Sequence, residues 1–234
     1  MTARRIFVTG TDTAVGKTVV ACALARGLKD LGARVEVMKP VASGAVRTPD
    51  GLRSADALAL IEAARTATPY ALVNPYCFEP PVSPHIAAVE AMIDVDIGKI
   101  RESFNALADR ADWVVIEGAG GWLAPISARQ SAADLALALE APALMVVGVR
   151  LGCLNHAQLT RLAVAVRGVR FAGWIASEVD PAMLRARQNL ASLERLLGEP
   201  ALAVVRHAPD ALSSLTLSEA AAQLEQRYFA AFTM

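Results

Sequence analysis

Several features that would direct a chain to a membrane, a nucleic acid or an oxidising compartment are missing from this sequence. Its 234 residues contain 23 Lys and Arg and 23 Asp and Glu, so no basic surface for nucleic acid or anionic lipid is expected. Although 54% of the residues are hydrophobic, the apolar runs are only strand-length, which argues against a transmembrane helix. The first residues lack the pattern of a signal peptide. Three widely spaced cysteines indicate neither a disulfide framework nor a CxxC metal site. We therefore expect a cytoplasmic protein whose partner is a small molecule.

The apolar segments have the lengths and order of an α/β protein. Strand-like runs alternate with stretches whose apolar residues recur at helical spacing, and no linker or repeat divides the chain. We expect one domain over residues 1–234, with a mostly parallel sheet covered by helices on both faces. The predicted strands are residues 6–8, 35–38, 112–117, 143–149, 171–176 and 202–205. Helices are predicted after residues 18, 56, 84 and 156 and over 130–139, 181–197 and 215–229, with loops over 41–53 and 74–84.

The segment from Gly10 to Thr18 carries the most specific signal. It follows the first apolar strand and ends in Gly-Lys-Thr, where a helical pattern begins. In such a loop the backbone N–H groups and the helix start bind phosphate, Lys17 reaches the outer phosphates and Thr18 offers a hydroxyl to Mg²⁺. Five residues separate Gly10 from Gly16, where the usual number is four. The sequence thus predicts a phosphate-loop NTPase-like fold, and the alternative is a turn that contains Gly-Lys-Thr by chance.

Charged residues also occur where predicted strands end. Ligands of open α/β sheets bind outside the carboxyl ends of the strands, which makes Lys39 and Glu117 candidates for the same crevice. A carboxylate there could hold Mg²⁺ directly or through water. The alternatives are a solvated surface lysine and a glycine-rich turn with a solvated glutamate. Asp56, in a first helical turn, either complements the helix dipole or joins the site.

Two further segments give weaker signals. Ser83 and Pro84 suit the start of a helix, which leaves His85 a structural role. The loop over residues 151–156 precedes a helix, and its N–H groups could bind an anion such as a substrate carboxylate.

Taken together, these motifs resemble the family of ATP-dependent dethiobiotin synthetases, which close the ureido ring in biotin biosynthesis. The resemblance covers most of the chain, and the five-residue spacing in the phosphate loop is the family's own form. It rests on residues 8–13 with 15–18, 39–44, 56–60, 73–76, 83–86, 117–122 and 147–149 with 151–153.

The resemblance implies a reaction of CO2, ATP and 7,8-diaminononanoate that gives dethiobiotin, ADP and phosphate in the presence of Mg²⁺. It implies that Lys17 stabilises the transferring phosphate and that Lys39 holds the carbamate oxygens, with Thr13 as the third catalytic residue. The implied Mg²⁺ ligands are Thr18, Asp56 and Glu117. The implied nucleotide-binding residues are Thr13, Ala14, Val15, Gly16, Lys17, Thr18, Glu117, Gly118, Ala119, Gly120 and Ser177. The implied substrate-binding residues are Thr13, Lys39, Ser43, Gly152, Cys153, Leu154 and Asn155, the last four contributed by the neighbouring subunit of a homodimer.

The chain departs from the family pattern at several positions. Ala14 stands where many members have glutamate, and Ser177 where well-known members have an asparagine that reads adenine. Because a serine offers a single rotatable hydroxyl, weaker discrimination between bases is expected and the preferred nucleotide stays open. Arg150 occupies a position where lysine is common, and residues 205–209 near the expected base pocket also differ.

Two other functions fit a phosphate loop. One is a positioning or partition ATPase that acts as a switch. Such proteins usually carry a second lysine near the start of the loop, and this sequence has none between Arg5 and Lys17. The other is a nucleotide-binding scaffold without turnover, which would leave Lys39 and Glu117 without a task.

Overall fold

The structure is a computed structural model that describes residues 3–208 and 210–230. Its strands, in chain order, are β1 (Arg4–Gly10), β2 (Val35–Met38), β3 (Val41–Ala42), β4 (Val46–Thr48), β5 (Gly51–Arg53), β6 (Tyr76–Cys77), β7 (Trp113–Glu117), β8 (Ala143–Gly148), β9 (Phe171–Ser177) and β10 (Ala203–Val205). Its helices are α1 (Lys17–Asp30), α2 (Ala55–Ala64), α3 (Tyr70–Val73), α4 (Pro84–Glu90), α5 (Ile97–Ala108), α6 (Ala132–Ala138), α7 (Cys153–Val166), α8 (Ala186–Leu197), α9 (Ala211–Ser214) and α10 (Ser218–Ala230).

A six-stranded parallel sheet forms the centre of the molecule, in the order β10-β9-β8-β1-β7-β2. Successive side chains of each strand pack on opposite faces, as the two-residue period of a strand requires. In β1, Ile6 and Val8 pack with α1, whereas Phe7 packs with α5 and α6 on the other face. Because both faces of the sheet are buried, its strands are mostly apolar, with exceptions such as Arg4 and Arg5 at the start of β1 and Glu36 in β2. The prediction of a mostly parallel sheet between helices is confirmed.

The register of the sheet brings the ends of three strands together. Val8 of β1 lies opposite Glu117 of β7, and Met38 of β2 lies opposite Ile116. Lys39, one residue beyond Met38, is therefore level with Glu117, and side chains at the same level of a parallel sheet point to the same face. Both residues lie at the carboxyl ends of the parallel strands, where the phosphate loop follows β1.

Several predicted boundaries differ from the structure. The loop predicted over 41–53 contains β3 and a hairpin of β4 and β5, whose two turn residues are Pro49 and Asp50. The loop predicted over 74–84 contains β6, which pairs with β3.

Helix boundaries also differ. The helix predicted from residue 181 begins at Ala186, because residues 181–185 form turns and Arg185 has a left-handed φ of 61°. The closing helix begins at Ser218 rather than at residue 215. Helix α5 was not predicted, although Asp96 caps it by accepting a hydrogen bond from the N–H of Gly98 at 2.7 Å.

Among the described residues, no helix has the length and the apolar composition needed to cross a lipid bilayer.

Candidate active site

The phosphate loop connects β1 to α1 with two residues in the left-handed region. Gly16, immediately before α1, has φ 87°, and Ala14 has φ 56°. A Cβ atom on Gly16 would lie 2.6 Å from the Ser177 hydroxyl oxygen, so only glycine fits there. The first turn of α1, Lys17 to Val20, holds no acidic side chain that would compensate the positive end of the helix dipole. The loop and helix start are therefore suited to an anion.

Lys17 is held inside this loop. Its Nζ donates a hydrogen bond to the backbone oxygen of Asp12 at 2.9 Å, while the Asp12 side chain accepts one from the N–H of Thr13 at 2.7 Å. Burial, assisted by the nearby charge of Lys39, lowers the pKa of Lys17 to about 8. Arg150 forms a salt bridge with Asp12 and so contacts the loop from just beyond the end of β8.

Behind the loop, one lysine is shared by two carboxylates. Lys39 Nζ lies 2.7 Å from Asp56 Oδ2 and 2.7 Å from Glu117 Oε1. The hydroxyl oxygen of Thr18 lies 2.8 Å from Glu117 Oε1 and 3.1 Å from Asp56 Oδ1. Four residues separated widely in sequence thus meet at the carboxyl edge of the sheet, as the sequence predicted for Lys39 and Glu117.

Burial and pairing set the charges of this cluster. Burial opposes the charge of Lys39, but the two carboxylates outweigh it and raise its pKa, so the lysine is protonated. Burial likewise disfavours the Asp56 anion, yet Lys39 and Thr18 hold its pKa below the usual range. Burial raises the pKa of Glu117 against the opposing effect of Lys39. The cluster is therefore a compact site of mixed charge.

Glu117 also has a free oxygen. Its Oε2 is buried and has no hydrogen-bond partner among the described residues. Buried carboxylate oxygens normally have partners, because an unpaired one loses its solvation. Within the described part of the chain, no group of three or more His, Cys, Asp and Glu side chains could hold a metal. Mg²⁺ does not require such a group, since it is usually bound by one or two carboxylates together with substrate phosphates.

A cleft of about 550 Å³ runs over the phosphate loop. Its lining includes Lys39, Asp56 and Glu117 and, beyond them, Leu212 from α9. Predicted residues that line it are Thr13, Ala14, Gly16, Lys17, Thr18, Ser43, Ala119 and Gly120. We refer to it as the nucleotide cleft.

A second cavity, of about 780 Å³, adjoins the nucleotide cleft. Thr13, Ser43, Ala119 and Gly120 line both spaces. Much of the remaining wall is apolar and comes from Pro81, Val82, Trp122, Leu123 and Leu159. The sequence did not predict a binding role for these wall residues, and Pro81 and Val82 fall in the segment 74–84, which was predicted only as a loop. We refer to this space as the apolar cavity.

Three of the predicted nucleotide-binding residues pack against other parts of the protein and do not line the nucleotide cleft. Val15 is buried, and its side chain fills the space beside Gly10 and Gly148. Gly118 packs against the ring of Phe7, where a Cβ would lie 2.9 Å from the ring. Ser177 is buried with its hydroxyl against Gly16. Any contact of Val15 and Gly118 with a nucleotide would involve the backbone.

The segment predicted to bind the substrate carboxylate as a loop lines neither space, and its residues Cys153 to Asn155 form the first turn of α7. Gly152, with φ 96°, precedes α7, Cys153 is buried and Asn155 is exposed. The described lining of the nucleotide cleft and of the apolar cavity includes none of the residues 152–155. Leu159, further along α7, does line the apolar cavity.

Two minor predictions concern His85 and the segment 205–209, whose described residues do not line either space, although Ser83 beside His85 lines the apolar cavity. The Nδ1 of His85 lies 2.9 Å from the Ser83 hydroxyl at the start of α4, which agrees with a structural role. Of the divergent segment 205–209, Pro209 lies outside the described residues.

Comparison with known proteins gives close sequence relatives. A family model described as an AAA domain matches residues 4–213. The chain is 45% identical over 219 residues to the ATP-dependent dethiobiotin synthetase BioD of Xanthomonas oryzae pv. oryzae, with 94% of this chain and 95% of that protein covered. It is 46% identical over 199 residues to the ATP-dependent dethiobiotin synthetase BioD 1 of Salmonella typhi, with 85% and 87% covered.

Solved structures of lower identity share the fold. The MinC:MinD cell division protein complex of Aquifex aeolicus matches with a TM-score of 0.59 and 16% identity over 97% of this chain and 96% of that chain. A ParA family ATPase from Chlorobium tepidum matches with a TM-score of 0.54 and 14% identity over 97% and 99%. At such identities the match concerns the fold alone.

Proposed function

This chain belongs to the family of ATP-dependent dethiobiotin synthetases, and we propose that it converts 7,8-diaminononanoate, CO2 and ATP into dethiobiotin, ADP and phosphate. The observation that carries the proposal is the 45% identity to such an enzyme over 94% of the chain. The cluster of Lys39, Asp56 and Glu117 beside a phosphate loop supports it, because it joins a buried cation to possible metal ligands.

The reaction has three steps. One amine of the substrate adds to CO2 and loses a proton, which gives a carbamate. A carbamate oxygen then attacks the γ-phosphorus of ATP while the bond to ADP breaks. The second amine attacks the carbonyl carbon of the mixed anhydride and loses a proton, phosphate leaves, and the ring closes. Since these steps need little covalent chemistry from the protein, catalysis depends on positioning and on stabilisation of charge.

Lys39 is the residue that we assign to the carbamate, and Lys17 to the transferring phosphate. The protonated, buried ammonium of Lys39 lines the nucleotide cleft, where it can stabilise the negative charge of the carbamate oxygens. Thr13 and Ser43 line both the nucleotide cleft and the apolar cavity, which supports a role for their hydroxyls where the two substrates meet.

Thr18, Asp56 and Glu117 are the residues that would hold Mg²⁺. The buried, unpartnered Oε2 of Glu117 and the hydroxyl of Thr18 between two carboxylates fit a hard cation with oxygen ligands. Bound Mg²⁺ would neutralise charge on the phosphates during transfer.

The diamine is assigned to the apolar cavity, whose walls suit its aliphatic chain. Gly152 to Asn155 of a second subunit would bind the substrate carboxylate. Three exposed apolar residues support a homodimer in which the surface around α7 is buried. They are Leu151, just before α7, and Leu162 and Val166 within it. The free cysteines support a location in the cytoplasm.

A positioning ATPase is the second candidate, and the fold shared with MinD and ParA is the observation in its favour. The absence of a second lysine between Arg5 and Lys17 opposes it.

An assay of the purified protein with 7,8-diaminononanoate, bicarbonate and Mg²⁺ tests the proposal, with ATP, CTP and GTP in parallel reactions. We expect phosphate release that requires the diamine, together with formation of dethiobiotin. Absence of diamine-dependent phosphate release with all three nucleotides would contradict the synthetase function. Hydrolysis that proceeds equally well without the diamine would favour the ATPase switch. Comparison of the three nucleotides also measures the base preference that Ser177 leaves open.

A further inference from the structure

The backbone of Lys39 has partners outside the main sheet. It lies one residue beyond the last paired residue of β2, which is an edge strand, and it precedes Pro40. Its N–H donates a hydrogen bond to the oxygen of Val73 at 2.8 Å, and its carbonyl accepts one from Asn74 Nδ2 at 2.6 Å. The segment around Asn74 thus supplies, at this point, the bonds that a neighbouring strand would supply.

The Asn74 side chain is buried and uses its whole amide group. Besides Lys39, Nδ2 donates to the backbone oxygen of Tyr76 at 3.0 Å, and Oδ1 accepts a hydrogen bond from the Tyr70 hydroxyl at 2.8 Å. The opposite amide orientation would place Oδ1 against two carbonyl oxygens, so the network fixes the orientation.

The Tyr70 hydroxyl continues this chain of hydrogen bonds to α2. It accepts a hydrogen bond from the N–H of Ser54 at 2.7 Å. Ser54 is buried and caps α2, and Asp56 is the second residue of that helix. The position of Ser54 therefore governs where Asp56 enters the site. The Arg53 guanidinium packs over the Tyr70 ring, with Cζ 4.3 Å from the ring centroid, and holds the ring in place.

The chain of bonds from Ser54 through Tyr70 and Asn74 ends at Lys39, whose Nζ meets Asp56 again at 2.7 Å. We propose that Tyr70 and Asn74 are positioning residues, which fix the backbones of Lys39 and Asp56 relative to each other for the reaction. The inference rests on the proposed function, because Lys39 and Asp56 take their roles from it.

The ion pair alone does not explain the placement of Lys39. A lysine side chain is a point charge on a flexible four-carbon stem, so its reach depends on where its backbone is held. Displacement of a reacting group by about 1 Å can lower a rate about 100-fold. A positioning role therefore predicts a loss of kcat, whereas a merely structural role predicts a loss of stability alone.

Three variants test the proposal. Tyr70→Phe keeps the ring on Arg53 but removes the hydroxyl, and Asn74→Asp keeps the shape of the side chain but loses both donors. Tyr76→Phe is the matched control, because its hydroxyl also accepts a backbone N–H, that of Asp96 at 3.0 Å, whereas Tyr76 bonds Asn74 only through its backbone oxygen, which the substitution keeps. We expect kcat to fall about 10-fold in Tyr70→Phe and about 100-fold in Asn74→Asp, with the KM for ATP within about twofold.

The control variant should retain kcat within about twofold, even where its thermal midpoint falls. The double variant of Tyr70 and Asn74 should lose less than the product of the single losses, because both residues act through one chain of bonds. Wild-type kcat in a folded Tyr70→Phe protein, or an equal loss of kcat in Tyr76→Phe, would overturn the proposal. Should Asn74→Asp fail to fold, Tyr70→Phe against Tyr76→Phe decides alone.

A binding measurement separates this inference from the proposed function. The Mg²⁺ concentration that gives half-maximal ADP binding depends on Asp56 and requires no diamine. We expect it to rise several-fold in Tyr70→Phe and to stay unchanged in Tyr76→Phe. Unchanged values in both would overturn the inference, whereas a wild-type protein without diamine-dependent turnover would overturn the proposed function.

Discussion

Lys39 is the residue on which the proposed chemistry depends most. Replacement by alanine removes the ammonium from the carbamate but leaves the phosphate loop and the N-terminus of α1 in place. We expect Lys39→Ala to bind ATP with an affinity within a few-fold of the wild type and to lose about 100- to 1000-fold in kcat, the range seen when a stabilising donor is removed. Calorimetric nucleotide binding and steady-state phosphate release measure the two effects.

Lys29→Ala is the control for this variant, since Lys29 Nζ donates a hydrogen bond to the backbone oxygen of Ala64 at 2.7 Å, outside the site. Its kcat should equal that of the wild type. Turnover close to wild type in Lys39→Ala would show that the lysine has been assigned to the wrong task.

Some residues of the site could be predicted from the sequence and others could not. Lys39 and Glu117 could be predicted, because they follow apolar strands whose carboxyl ends share one edge. Asp56 could not be chosen from the residues alone, since an acidic first turn is common at any helix. The roles of Tyr70 and Asn74 could not be predicted, because the bonds that connect them to Ser54 and to Lys39 join residues 16 and 35 positions apart in the sequence.

At the scale of the elements, Gly27 allows α1 to pack closely on the segment that precedes α10. A Cβ atom there would lie 2.6 Å from the backbone carbon of Leu217. Gly27→Ala would gain about 1 kcal/mol in helix propensity, but the clash with rigid backbone should outweigh it. We expect the free energy of unfolding, measured in urea, to fall by about 2 kcal/mol.

Gly98→Ala in α5 is the matched control. Its new Cβ would approach only the end of the flexible Asp96 side chain, at 3.0 Å. This variant should show no loss, or a gain of up to about 1 kcal/mol. A stabilised Gly27→Ala protein would contradict the close packing of α1.

Asp112 ties the starts of β2 and β7 together. It accepts hydrogen bonds from the N–H of Arg34 at 2.8 Å and from its guanidinium at 2.8 and 3.1 Å, and these bonds lower the pKa of Asp112 to about 2. Because the folded pKa lies below the unfolded one, the stabilisation is complete above about pH 4 and is lost as the pH falls towards 2.

Asp112→Asn should therefore be less stable than the wild type by about 1 kcal/mol at pH 7, a value limited by the exposure of the pair. The difference should disappear near pH 2, as measured by urea unfolding across that range. Asp94→Asn, at an exposed carboxylate, should match the wild type in stability at pH 7. A difference that persists at pH 2 would contradict the role of the charge.

The order of the elements could be predicted better than their ends. Each central strand is a continuous apolar run, which only burial on both faces explains. The hairpin of β4 and β5 was predicted as part of a loop because residues 41–53 are rich in Gly, Ser, Thr and Pro. The start of α8 depends on a left-handed Arg185, and such a conformation has no signature in a residue that is not glycine.

For the whole molecule, the exposed apolar residues of α7 predict a second copy of the chain. Leu162→Asp places a charge on this face outside the two binding spaces. We expect sedimentation to show monomers and kcat/KM for the diamine to fall at least 10-fold, since the proposed carboxylate site comes from the partner. Leu184→Asp, at another exposed leucine, should leave both properties unchanged. A monomeric wild type with full activity would contradict the dimer.

The order of the strands within the sheet could not be predicted from the sequence. Its apolar runs predict that the strands pair, but which strands become neighbours depends on long-range packing and on right-handed crossovers. That β2 lies at the edge, and so leaves Lys39 to be held by Asn74, follows only from the folded arrangement.

The left-handed backbone of Ala14 has a consequence for how this loop can change in evolution. Ala14 is exposed and lines the nucleotide cleft at φ 56°. Alanine and glutamate both carry a Cβ, so both meet the same backbone strain at this φ. The exchange of alanine for glutamate would therefore leave the backbone strain at this position unchanged, and it would add a carboxylate at the wall of the nucleotide cleft.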